Sequence, residues 1–147
     1  MAEIKTERIL ANPSLVIDHA GEGELLMLMH GIGGNRTNWT EQIEALSEHF
    51  HVVAWDARGY GDSDDYEGEL DFNEFARDLV QVLDHFGVEK AHIGGLSMGG
   101  RISQSFYALF PERVKTLTLV ACFSGFNNFS AAEKQNFIDL RLKPLVE

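Results

Sequence analysis

Apolar residues in this chain fall into short unbroken blocks separated by longer stretches with helical spacing. The blocks "LVI" (15–17), "LLMLMH" (25–30), "HVVAWD" (51–56), "AHIGGL" (91–96) and "VKTLTLVAC" (114–122) predict five strands, and "IKTERIL" (4–10) is a weaker sixth. A turn at "HAGEGE" (19–24), with Gly21 and Gly23, separates the first two blocks. Between the blocks, Asn38 followed by Glu41 predicts a helix start, with Trp39, Ile43 and Leu46 on one face. Asp71 followed by Glu74 predicts a second helix, striped by Phe75, Leu79, Val82 and Phe86 and stopped by Gly87. A third runs from about Met98 to Phe110 and ends at Pro111. Strands alternating with helices of this length indicate βαβ units, and unbroken apolar strands belong to a sheet covered on both faces. The expected class is α/β: a three-layer sandwich around a mostly parallel sheet.

The length of 147 residues fits one domain and a real core. Twelve basic against 23 acidic residues give a net charge of −11, which argues against nucleic acid and anionic membrane surfaces as partners. No apolar run approaches the roughly 20 residues of a membrane span, and "MAEIKTERIL" lacks the pattern of a secretory leader. Cys122 is the single cysteine, so no intrachain disulfide and no cysteine-based metal site is expected. A reducing, cytoplasmic setting is the expectation, with no cofactor and no metal.

Chemistry concentrates at the ends of the predicted strands. In "GGLSMGG" (94–100), Gly95-Leu96-Ser97-Met98-Gly99 fits G-x-S-x-G between a strand and a helix, the context of a nucleophile elbow. Such a turn excludes bulky side chains two residues either side of the serine, where Gly95 and Gly99 stand. A glycine-rich turn with an incidental serine fits the same five residues. "HGIGGNR" (30–36) follows another strand, and its Gly31 and Gly33 allow backbone to approach a substrate. Acyl transfer needs N–H donors aimed at a developing oxyanion. The candidates are Met98, next to the serine, and Ile32, two residues beyond His30. A dinucleotide fingerprint would start at Gly31-Ile32-Gly33 but meets Arg36 at its third glycine, and no phosphate-loop Gly-Lys follows. In "DARGYGDSD" (56–64), Asp56 and Arg58 are expected to tie down a loop shaped by Gly59 and Gly61.

The order "HGIGG", "DARGYGDS", "GGLSMGG", each at a strand end, resembles the α/β-hydrolase fold family. Within it the chain is most similar to small bacterial esterases, enol-lactone hydrolases and cofactor-free haloperoxidases, from about Leu15 to Cys122. The resemblance implies Ser97 as nucleophile, the N–H groups of Ile32 and Met98 as oxyanion hole, and a small-molecule ester as substrate. It also implies that residues 1–122 form the first part of the core, truncated after the sixth strand, and that 123–147 begin a lid-like helical segment with Phe126, Phe129 and Phe137 over a pocket.

A serine needs a base, and the family order is serine, then acid, then histidine. All six histidines (His19, His30, His49, His51, His85 and His92) precede Ser97, and the carboxylates after it are Glu112, Glu133, Asp139 and Glu147. None of the six is expected near the serine: His30 sits in the oxyanion loop, His19 in a turn, and the others toward the opposite edge of the sheet. The strand at 114–122 would be an apolar edge, and such edges recruit other chains. A homo-oligomer or a complementing chain is therefore expected there. Two functions stay open: a carboxylesterase-like serine hydrolase completed by association, or an inactive half-fold serving as scaffold or interaction module or as a fragment needing a complementing chain.

Overall fold

The computed structural model describes residues 2–146. Six strands form one sheet: β1 (Lys5–Ile9), β2 (Leu15–Ala20), β3 (Leu25–Met29), β4 (His51–Trp55), β5 (Ala91–Leu96) and β6 (Val114–Val120). Their spatial order is β1-β2-β4-β3-β5-β6. The four strands β4, β3, β5 and β6 are parallel, while β1 and β2 add antiparallel ribbons at one side. The strands expected from the apolar blocks are all present, including the weak first one. His19 is the exception in detail: it lies inside β2, paired with Val53, rather than in the following turn. Strand pairing there outweighs the turn signal, which acts only from Gly21 onward, where φ is +85°.

Helices α1 (Thr40–Leu46), α2 (Phe72–His85), α3 (Met98–Leu109) and α4 (Ala131–Val146) complete the fold. A 3₁₀ turn at Arg36–Trp39 precedes α1, so the first cap is Asn35, not Asn38. Asn38 answers it from the third position: its side chain accepts the Asn35 N–H at 2.8 Å, forming a reciprocal capping box. Asp71 caps α2 as expected through the Asn73 N–H, 2.8 Å. The stripe of α2, Phe75, Leu79 and Val82, is fully buried with Trp55, Met27, Met29, Ile93, Ile102 and Phe106 in the larger of two core clusters. Ile43 of α1 packs with Val52, Ala54 and Leu28 on the other face, so the sheet is covered on both sides. Among the described residues no helix is long and apolar enough to cross a membrane.

Two buried charge clusters brace the loops after the strands. Asp56 accepts the N–H groups of Arg36 and Asp62, each at 2.8 Å, and meets the Arg36 guanidinium, which also bonds Asp18 at 3.0 Å. Burial works against the Arg36 charge, yet bonds from Asp62, Asp18 and Asp56 outweigh it and raise its pKa. Arg58 forks onto Asp78 of α2 at 2.6 and 2.7 Å. The expectation that Asp56 and Arg58 tie down this loop holds.

The two edges of the sheet differ. β1 carries Lys5, Glu7 and Arg8, with Arg8 bonded to Asp62 and Asp64. β6 exposes Leu119 (43%) and Val120 (44%). At the start of the parallel strands, Glu7 meets His19 at 3.2 Å and His85 at 2.8 Å, while His19 and His51 share a 2.9 Å hydrogen bond. The three rings surround Phe86 at 4.6–5.2 Å.

Candidate active site

β5 ends at Leu96, and the Ser97 N–H continues the ladder to the Val120 carbonyl at 2.9 Å. The chain then reverses at once into α3, whose Arg101 N–H bonds the Ser97 carbonyl at 3.1 Å. Ser97 takes φ +53°, ψ −109°, a backbone state that L residues rarely adopt and that costs about 1–3 kcal/mol. A Cβ at Gly95 would sit 2.2 Å from Gly99 C and O, and one at Gly99 would sit 2.2 Å from Met29 O. Strand, turn and helix are thus in backbone contact, and the strain at Ser97 is enforced by its surroundings. The turn exposes the serine at the carboxyl edge of the sheet, at the N-terminus of α3.

The loop after β3 lies against it. A Cβ built at Gly31 would be 3.3 Å from Ser97 Cβ and 3.9 Å from its Oγ. Residues 31–34 form a turn closed by the Gly34 N–H on the Gly31 carbonyl, 3.1 Å. Gly33 holds the third position with φ +76°, as such a turn demands. Ile32 is at the tip, 62% exposed, and its N–H donates to no acceptor among the described residues. Met98 opens α3, so its N–H belongs to the helix's first turn and has no intrahelical acceptor. Ser97, Ile32 and Met98 therefore lie at one edge of the sheet, where the α3 dipole favours negative charge.

His30 is committed elsewhere. Its Nδ1 lies 2.8 Å from the Gly31 carbonyl, which can only accept, so Nδ1 carries the hydrogen. Its Nε2 accepts the Ala57 N–H at 3.1 Å, so it carries none. The ring is fully buried, and burial lowers its pKa. It is a locked neutral imidazole with no lone pair free for a proton from Ser97.

The other histidines stand at the amino edge or the surface. His19, His51 and His85 ring Phe86. His92 bonds Thr116 and Glu24, both at 2.7 Å. His49 is exposed, and its ring has no hydrogen-bond partner among the described residues. Among the described residues Ser97 Oγ has no hydrogen-bond partner, and no group of three or more His, Cys, Asp or Glu side chains has metal-binding geometry. Two surface clefts, one along Lys5, His19 and His51 and one along Asn12, Arg58 and Tyr66, lie away from the serine. Of the carboxylates beyond Ser97, Glu133 caps α4 through the Ser130 N–H at 2.7 Å, and Glu147 falls outside the described residues. Phe126, Phe129 and Phe137 cluster with Phe123 at ring distances of 4.6–6.2 Å, beside α4.

One residue near the site escaped the sequence reading. Tyr60 lies 5.0 Å, ring to ring, from His30 and reaches Met98 Sδ with its hydroxyl at 3.3 Å. The only signal was an aromatic residue between Gly59 and Gly61 in a loop assigned a structural role.

Residues 24–141 match the family model described as alpha/beta hydrolase fold. A protein of Azorhizobium caulinodans that carries the name carbamate hydrolase RutD is 41% identical over 100 residues, 68% of this chain and 38% of its own length. Lipase 1 of Psychrobacter immobilis is 36% identical over 126 residues, 80% of this chain and 38% of its own. Among solved structures, a thermophilic esterase from Thermogutta terrifontis superposes with a TM-score of 0.79 at 30% identity, over 94% of this chain and 53% of that one. The chain thus spans well under two thirds of the length of each.

Proposed function

The chain belongs to the alpha/beta hydrolase fold family, and on that premise we propose that it is a serine hydrolase that cleaves carboxylic esters of small acyl groups. The observation that carries this reading is the strained Ser97 beside the free N–H groups of Ile32 and Met98. Ser97 Oγ adds to the ester carbonyl carbon, and its proton passes to a base. The carbonyl oxygen, now negative, takes hydrogen bonds from Ile32 and Met98, each worth about 10²–10³ in rate in comparable sites. Collapse expels the alcohol, which recovers the proton, and leaves an acyl-serine. Water then adds to the acyl carbon, giving its proton to the base; the acyl–Oγ bond breaks, the carboxylic acid leaves, and Ser97 Oγ recovers the proton.

The names carried by the relatives, a carbamate hydrolase, a lipase and an esterase, support hydrolysis at an acyl carbon. Among the described residues no histidine bonds Ser97, so we place the base on a chain that packs along the open β6 edge. In a homo-oligomer the candidate is exposed His49, whose ring makes no hydrogen bond among the described residues. The lone, free Cys122 suits a cytoplasmic setting. The unpartnered Ser97 Oγ favours a second reading, an inactive half-fold that serves as a scaffold or interaction module.

Release of p-nitrophenol from acetate and butyrate esters, measured beside Ser97→Ala, separates the two. Turnover that Ser97→Ala abolishes supports the hydrolase. Equal background rates in both proteins support the scaffold.

A further inference from the structure

We propose that Tyr60 is a positioning residue that sets the direction of both oxyanion donors; the proposal rests on the reading of Ser97 as nucleophile. The loop after β4 takes no part in the chemistry above, yet it touches each side of the oxyanion hole. Ala57 donates its N–H to His30 Nε2 at 3.1 Å, and the Tyr60 N–H closes a turn on the Ala57 carbonyl at 2.9 Å. That turn sets the Tyr60 ring against His30, centroids 5.0 Å apart and planes at 58°. His30 is thus held on its edge by Ala57 and on its face by Tyr60.

The grip passes to Ile32 through covalent geometry. His30 Nδ1–H holds the Gly31 carbonyl at 2.8 Å, and the Gly34 N–H holds the same oxygen at 3.1 Å. The Gly31 carbonyl and the Ile32 N–H belong to one planar peptide unit, so fixing the first aims the second. A His30 ring free to turn would release that plane. On the other side, the Tyr60 hydroxyl donates to Met98 Sδ at 3.3 Å, and Met98 carries the second donor. Sulfur is a weak acceptor, so this contact orients more than it binds. Burial raises the Tyr60 pKa, which keeps the phenol a neutral donor.

The loop can act as a brace because it is itself fixed. The Ser63 hydroxyl donates to the Asp56 carbonyl at 2.6 Å, and Asp56 Oδ2 accepts the Asp62 N–H at 2.8 Å. The second carboxylate oxygen, Oδ1, accepts the Arg36 N–H at 2.8 Å, just past the oxyanion turn. Asp56 thereby joins the two loops at their far ends, and Tyr60 joins them at the site.

The test uses Tyr60→Ala, Tyr60→Leu and Tyr60→Phe in the whole chain, with two readouts. The first is the amide spectrum, following Ile32, Met98 and the His30 Nδ1–H resonance. The second is the rate at which a fluorophosphonate labels Ser97, followed by intact mass. The Ala and Leu variants are expected to shift the Ile32 and Met98 amides, broaden the His30 ring proton and slow labelling about 10–100-fold, part of the cost of losing a donor outright. The Phe variant keeps the ring on His30, so it is expected to restore Ile32 and the ring proton and to move Met98 alone, with labelling within about threefold of wild type. A purely structural tyrosine would lower the melting temperature without moving either amide, and that result overturns the proposal. A wild-type chain that resists labelling sinks the nucleophile reading instead, while the spectra still decide whether Tyr60 aims the two N–H groups.

Discussion

Asp78→Ala would strand one of the most deeply buried cations in the fold. Arg58 is 9% exposed and Asp78 4%, and the guanidinium forks onto the carboxylate at 2.6 and 2.7 Å. The geometry is bidentate, which suits a planar guanidinium and fixes both partners. Glu74, 3.9 Å from Arg58, is too far and too exposed to take over. Removing one partner of such a pair costs about 3–5 kcal/mol, because the other is left charged and desolvated. Against a total stability of about 5–15 kcal/mol, the loss is large. Arg58→Met alone should cost a similar amount, by stranding Asp78. Removing both charges together, in Arg58→Met/Asp78→Leu, should cost less than either single change, since a buried pair replaced by apolar side chains is often neutral. Urea unfolding followed by the emission of buried Trp55 reads all three. With a slope of about 2 kcal/mol per molar, each single variant should move the midpoint down by about 1.5–2.5 M. Single costs that simply add in the double variant would refute the reasoning, for then the two side chains do not depend on each other.

Gly99→Ala places a Cβ 2.2 Å from Met29 O, so it should lower stability by about 3 kcal/mol and abolish fluorophosphonate labelling of Ser97; a variant that melts like wild type would remove the backbone-contact account of the elbow. Burial lowers the pKa of both His30 and His51 below a histidine's ordinary 6.5. Their unfolded forms therefore bind protons first: stability is complete above pH 6.5 and declines as pH falls through the folded-state values. The urea midpoint should drop between pH 7.5 and 5, and less so in His51→Asn; a flat profile in wild type refutes this. Self-association through β6 should appear in sedimentation velocity at about 50 µM chain and vanish in Leu119→Glu/Val120→Lys; a wild-type monomer at that concentration counts against the edge as a recruiting surface.

The sheet could be read from sequence because its strands are buried on both faces, so "LLMLM" and "HVVAW" are apolar without interruption. Helix α2 was equally visible through its buried stripe. Helix α4 was expected only as helical character within 123–147, because none of its residues is buried and no stripe marks it. Its start was nevertheless written locally: Ser130 and Glu133 exchange side-chain bonds with each other's N–H groups, at 2.7 and 3.2 Å. Misplacing the first cap at Asn38 has a local origin too, since in this capping box the reciprocal partner, Asn38, carries the same side chain as the cap, Asn35. At the site, the glycines flanking Ser97 were legible because close backbone approach leaves a mark on residue type. The lock on His30 and the bridge made by Tyr60 were not. Both depend on β4, β3 and β5 lying side by side in that order, which brings the three strand-end loops together, and no local pattern encodes that adjacency.

Were copies of the chain to pair, the unequal edges of its sheet would govern how large the assembly could grow. A sheet extends indefinitely only if each added copy offers a fresh edge for the next. Here β1 presents Lys5, Glu7 and Arg8, with Arg8 fastened to the loop at Asp62 and Asp64, so that side gives newcomers charges to bury and little to gain. Along β6, by contrast, Leu119 and Val120 are exposed. Pairing there would be self-limiting: two copies joined edge to edge by a twofold axis would use up both β6 strands and turn the two charged β1 strands outward. An assembly built through β6 would therefore close as a pair rather than grow as a fibre.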